Sequence, residues 1–78
     1  MTYQRRSDVA AGEVRALLGR NRQSINDLSV ATGISLSTLN RRLSGERPFT
    51  LDDLDKIAIH FDVDPKSLIT PPEKAVAS

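Results

Sequence analysis

The sequence predicts a small all-α domain, and three observations carry that expectation. Apolar residues recur at three- and four-residue spacings along most of the 78 residues, helix-capping residues bracket those runs, and no segment alternates in the two-residue period of a strand. A chain this long holds one domain, with no room for a separate catalytic one. It has no cysteine, so its stability has to come from helix packing and not from disulfides or a cysteine-based zinc site.

The first helix is expected to start at Ser7 or Asp8 and to run to about Arg20, with Val9, Val14, Leu17 and Leu18 on one face. Residues 1–7 ahead of it read as a flexible basic arm, in which Arg5 and Arg6 could reach a neighbouring groove of a nucleic acid. Asn21-Arg22-Gln23 breaks the pattern. Ser24, with Asp27 three residues on, forms a capping box with a shorter acid than usual, and starts a second helix from Ile25 to Thr32.

Gly33 then supplies a left-handed cap, and Ser35 can cap a third helix that runs to about Ser44, where Gly45 repeats the stop signal. Helices 2 and 3 are thus joined by Gly33-Ile34-Ser35, a link short enough to force a steep crossing with Ile34 tucked between them. Pro48 prevents any continuation of helix 3. Thr50 and Asp53 make a second capping box, and Asp52, Asp53 and Asp55 suit the positive end of the helix that follows. Its expected buried face, as far as Phe61, is Leu51, Leu54, Ile57, Ala58 and Phe61. Asp64-Pro65 opens a short fifth helix through Leu68 or Ile69, and Thr70-Pro71-Pro72 stops it. The domain therefore spans 8–69, and 70–78 reads as a disordered tail.

The formal net charge is only +1, yet it is unevenly spread. Residues 1–47 carry eight arginines against four acids, a net +4, whereas residues 48–78 carry three lysines against six acids, a net −3. Arginine's planar fork suits phosphates and guanine edges. On helix 3, Leu39 and Leu43 belong to the core, and Ser37, Asn40, Arg41 and Ser44 follow i, i+3, i+4, i+7 spacing on the opposite side. Such side chains can read base edges. By itself, the stripe is also what the solvated face of any small helix looks like.

The joint pattern is more specific. The run from Ser24 to Gly45, SINDLSVATGISLSTLNRRLSG, resembles the helix-turn-helix of the Cro/cI-type (XRE) family of phage and bacterial repressors. The similarity continues through Pro48, Leu51, Leu54, Ile57, Ala58, Phe61, Val63 and Leu68. It implies a compact five-helix, lambda-repressor-like domain that lays helix 3 in the major groove of an operator in double-stranded DNA, as a homodimer at least on DNA. It also implies a transcriptional regulator, acting as a repressor by occupying its site in the cytoplasm or nucleoid of a bacterium, or in the host cytoplasm if phage-encoded.

Carried over residue by residue, the base-reading positions are Leu36, Ser37 and Arg41, with Asn40 beside them. Ser44 lies too far along the helix to reach a base. Leu36 stays open, because it is in phase with Leu39 and Leu43 as core, while the family turns this position outward, where an aliphatic chain can meet a thymine methyl. Expected phosphate contacts are Ser24 and Ser35 at helix starts, together with Arg20, Arg22, Arg42 and Arg47. Arg42 points about a hundred degrees away from the stripe, so it is either a phosphate contact or an ion-pair partner.

Two departures from the family pattern bear on the contacts. Ile25 stands where a glutamine often holds a phosphate, so helix 2 has to anchor through its backbone amides and Ser24. Gln23 stands where an apolar residue usually staples the cap, which predicts a loose loop between helices 1 and 2. The apolar residues available for dimerisation are Val63, Leu68, Ile69 and Tyr3.

Other classes find little support. His60 is the only histidine, with no second ligand for a metal, and the aspartates at 52, 53 and 55 are accounted for by the helix dipole. No enzyme activity, metal, cofactor or small-molecule ligand is expected. The apolar stretches fall far short of the roughly 20 residues that cross a bilayer, and no signal-type run follows the first residues, so a soluble protein without a membrane partner is expected. The alternative function is a protein-interaction module on the same fold, an antitoxin or anti-repressor partner, whose acidic second half docks a basic protein.

Overall fold

The computed structural model describes residues 6–69. Four α-helices follow one another, α1 (Arg6–Arg20), α2 (Ile25–Thr32), α3 (Leu36–Leu43) and α4 (Leu51–Phe61), and a 3-10 turn at Pro65–Leu68 completes the order. No strand occurs among the described residues. The basic arm (its residues 1–5) and the tail at 70–78, with Arg5 and Tyr3, lie outside them, and α1 begins at Arg6, slightly ahead of the expected start.

Each element contributes one fully buried aliphatic side chain to a common centre: Val14 from α1, Leu28 from α2, Leu39 from α3, Ile57 from α4 and Leu68 from the 3-10 turn. Burying such a side chain is worth about 1.5–3 kcal/mol, so each element is held chiefly through its neighbours. Val9, Leu17 and Leu18 are buried too, which bears out the expected face of α1.

Local chemistry sets the helix ends. Ser24 Oγ accepts from the Asp27 amide at 3.0 Å while the Ser24 amide donates to Asp27 Oδ2 at 2.8 Å, a complete capping box. Gly33 ends α2 at φ 79°, a conformation that costs glycine nothing, and its amide donates to Ser29 O at 2.9 Å. The turn into α3 is then closed by side chains. Ser29 Oγ donates to Ile34 O at 2.6 Å, Thr32 Oγ1 donates to Leu28 O at 2.7 Å, and the Ile34 amide donates to Thr32 Oγ1 at 3.3 Å. Ile34 is buried between the helices, as the short link requires.

Several expectations need correction. Leu51, expected on the buried face of α4, is 77% exposed. At about 100° per residue, Leu51 and Asp53 flank opposite margins of the arc formed by Leu54, Ile57 and Phe61; Asp53 is buried because Arg42 and the Thr50 amide bind its carboxylate, whereas Leu51 stands at the open end of the helix. The fifth element is a 3-10 turn and not an α-helix. The segment is only four residues long, the length at which 3-10 turns are used, and Asp64 closes it, its Oδ1 accepting from Lys66 N at 3.0 Å and its carbonyl from Ser67 N at 2.9 Å. Leu68 is fully buried and so is not available to a second copy, while Val63 and Ile69 pack against the core and are only partly buried.

The α1–α2 loop is tied down and not loose. The Gln23 amide donates to Leu18 O at 2.9 Å with Arg22 at φ 53°, and Asn21 Nδ2 donates to Leu17 O at 2.8 Å. Gln23 Oε1 lies 2.8 Å from His60 Nε2, which donates in its Nε2–H tautomer, so a polar bridge to α4 replaces the missing staple.

Candidate nucleic-acid interface

The central feature is α3, and its orientation follows from two side chains four residues apart. Leu39 and Leu43 are buried in the core, which turns Ser37, Asn40 and Arg41 to solvent. Leu36 is 41% exposed, so it sits at the edge of that outward face and does not belong to the core. Ser35 caps the helix, its Oγ accepting from the Thr38 amide at 3.1 Å and donating to Thr38 Oγ1 at 2.8 Å. Among residues 36–43 there is no acid, and two arginines occupy the last turn.

Those arginines differ sharply. Arg41 is exposed and only loosely paired, its Nε 3.9 Å from Glu46 Oε2, also exposed. A surface pair at that distance contributes little and yields readily to a better acceptor. Arg42 instead donates from Nε to Asp53 Oδ2 at 3.1 Å, with side-chain exposures of 20% and 12%. Of the two roles open to Arg42 in the sequence, the ion pair is present. Burial alone would disfavour the Asp53 carboxylate, but the Thr50 amide, the Arg42 guanidinium and the Thr50 hydroxyl outweigh it and hold the carboxyl below its ordinary range.

Ser44 is turned to the end of α3, its Oγ donating to Arg41 O at 3.1 Å and accepting from Glu46 N at 3.4 Å. At the start of α2 the Ser24 hydroxyl is engaged by Asp27, whose carboxyl the Ser24 amide and then its hydroxyl hold below the ordinary range. An exposed carboxylate therefore stands at the helix end where a phosphate anchor was expected. Ile25 packs against the core, which accounts for an aliphatic residue there. Arg20, Arg22 and Arg47 are exposed.

Two positioning contacts were not anticipated. Arg15 Nη2 donates to Leu43 O, so a cation from α1 caps the negative end of α3. The sequence accounts for Asp53 through the capping box with Thr50 and the helix dipole, and its second partner, Arg42 on α3, comes only from the packing of the two helices. Nothing local flagged Arg15, because its acceptor is a backbone carbonyl 28 residues away. Among the described residues, no cluster of histidine, aspartate or glutamate could hold a metal ion, and no helix is long and apolar enough to cross a membrane.

The comparisons with known proteins agree with this geometry. The family model for the Cro/C1-type HTH DNA-binding domain matches residues 13–74. The fold is similar to the crystal structure of the hypothetical transcription factor NHTF from Neisseria, with a TM-score of 0.83 over 91% of this chain and 82% of that one, at 18% sequence identity. No curated protein matches in sequence. At that identity the structural likeness speaks for the fold, and the family match, which spans most of the chain, speaks for kinship. The chain belongs to the Cro/C1-type helix-turn-helix DNA-binding domain family.

Proposed function

We propose that this domain is a transcriptional regulator that reads an operator in double-stranded DNA through α3 and represses by occupying it, as a homodimer on a two-fold-related site. The observation that carries the reading is the outward face of α3, where Ser37, Asn40 and Arg41 stand exposed behind the buried Leu39 and Leu43. Arg41 supplies the fork for a guanine edge, Asn40 and Ser37 supply shorter hydrogen-bonding groups, and Leu36 offers an aliphatic contact for a thymine methyl. Ser35, Arg20, Arg22 and Arg47 contact phosphates, with Ser24 a lesser contributor because Asp27 engages it. These contacts supply the salt-sensitive affinity, while α3 supplies discrimination.

Selection of bound duplexes from a random pool tests this directly. A recovered consensus with two half-sites related by a dyad is expected, and the half-site spacing reads the oligomeric state on DNA. Arg41→Ala should weaken binding to the selected duplex by about 1–3 kcal/mol and relax preference at one base pair. Equal weakening on all sequences would make Arg41 a phosphate contact.

A second reading, a protein-interaction module, draws on the Asp27 carboxylate at the start of α2 and on the exposed Leu51 and Ile59 of α4. The absence of any duplex binding at both low and moderate salt would favour it over the first.

A further inference from the structure

The last turn of α3 is held from two sides. From α1, Arg15 donates to Leu43 O, and from α3 itself Arg42 Nε reaches Asp53 Oδ2 of α4 at 3.1 Å. The same Asp53 oxygen accepts the Thr50 amide at 3.1 Å, so one carboxylate both closes the cap of α4 and fastens α3. Leu39 and Leu43 lie along one line of a helix of eight residues. Aliphatic contacts on a single line are non-directional and let a short helix roll about that line. Arg42 is attached off that line, by a planar donor to a charged acceptor, which is directional.

We propose that Arg42 and Asp53 are a positioning pair that fixes the roll of α3, and through it the placement of Ser37, Asn40 and Arg41 against base edges. Arg42 thereby acts on specificity without touching DNA. This rests on the reading of α3 as the DNA-reading helix. Side chains in a recognition site have to be held within about 0.5 Å and 10–20° of the productive geometry, a tolerance that a rolling helix exceeds.

The test uses the full chain, the duplex recovered by selection, and the same duplex with one base pair changed, titrated over a range of salt at a temperature where circular dichroism shows every variant folded. The variants are Arg42→Met, Asp53→Asn, the two combined, and Asp53→Glu. Asparagine keeps an acceptor for the Thr50 amide, so Asp53→Asn spares the cap while weakening the pair. Each single variant should lower the preference for the selected duplex about tenfold, the double variant should lower it no further, and the salt slope should stay as in the unaltered protein. Asp53→Glu keeps the charge and the cap and should recover most of the preference.

A salt slope reduced by about one in Arg42→Met, with Asp53→Asn unaffected, would make Arg42 a phosphate contact and overturn the proposal. So would equal weakening on both duplexes, the mark of a merely structural pair. If the unaltered protein prefers no duplex, the DNA-reading proposal fails on its own account. Amide exchange in the free protein then decides the pairing: faster exchange at Leu43 and Ser44 in both single variants supports it, and unchanged exchange overturns it.

Discussion

The starts of α2 and α4 share one local chemistry and put it to different uses. In both, a hydroxyl accepts from the amide three residues on at 3.0 Å, and an aspartate accepts the amide of the cap, at 2.8 Å for Ser24 and 3.1 Å for Thr50. Both caps are followed by an aliphatic residue, Ile25 or Leu51. Yet Asp27 stays in solvent while Asp53 is buried against Arg42, and Ile25 packs on the core while Leu51 stands exposed. A cap is decided within four residues. Whether its acid acquires a second partner depends on an arginine 11 positions away, on another helix.

Replacing the shared acid should separate the two starts most. Asp53→Ala opens the capping box and strands Arg42, and is expected to cost about 2–4 kcal/mol in denaturant unfolding, a clearly larger loss than that of Asp27→Ala, whose carboxylate stands in solvent. Equal losses would mean that the Arg42 pair adds nothing to the cap. Arg42→Ala should fall between them, at about 1–3 kcal/mol, since Asp53 keeps its bond from the Thr50 amide.

Acid sharpens the same contrast. Both carboxyls titrate below their ordinary value in the folded protein, so the unfolded chain binds their protons first as pH falls. Their stabilisation is complete above the ordinary carboxylate value and disappears as pH drops through the lowered one. Unfolding measured down that limb should flatten more in Asp53→Asn than in Asp27→Asn, because the buried pair is less screened by water. The reverse order would place the stronger acid link in the exposed box. The smallest contrast concerns the aliphatic residues, with about 1 kcal/mol expected for Ile25→Ser and less than about 0.5 kcal/mol for Leu51→Ser. A larger loss at Leu51 would show that it packs in solution.

Much of the fold was legible because its decisive signals are local. Ser24, Gly33, Ser35 and Thr50 mark helix boundaries within a residue or two of where they fall, since caps and left-handed turns are settled by a few backbone amides. The outward stripe of α3 was legible for a related reason: Leu39 and Leu43 fix which side of the helix is left over. Leu36, at the boundary of both patterns, was not, and only packing turned it to solvent. The expectation of a loose α1–α2 loop failed because the loop's tie runs to His60, on a helix that local pattern does not connect to Gln23.

The sequence by itself therefore determined the all-helical class, the four helix starts and stops and the kinship carried by residues 24–45, all properties of neighbours along the chain. Tertiary structure alone decided that Arg42 turns inward and Arg41 outward, that Asp53 serves two helices, and that Arg15 caps α3 from α1. Hydrogen bonds across the fold depend on how helices cross, and crossing is set by the joint packing of Val14, Leu28, Leu39, Ile57 and Leu68, which no single segment contains.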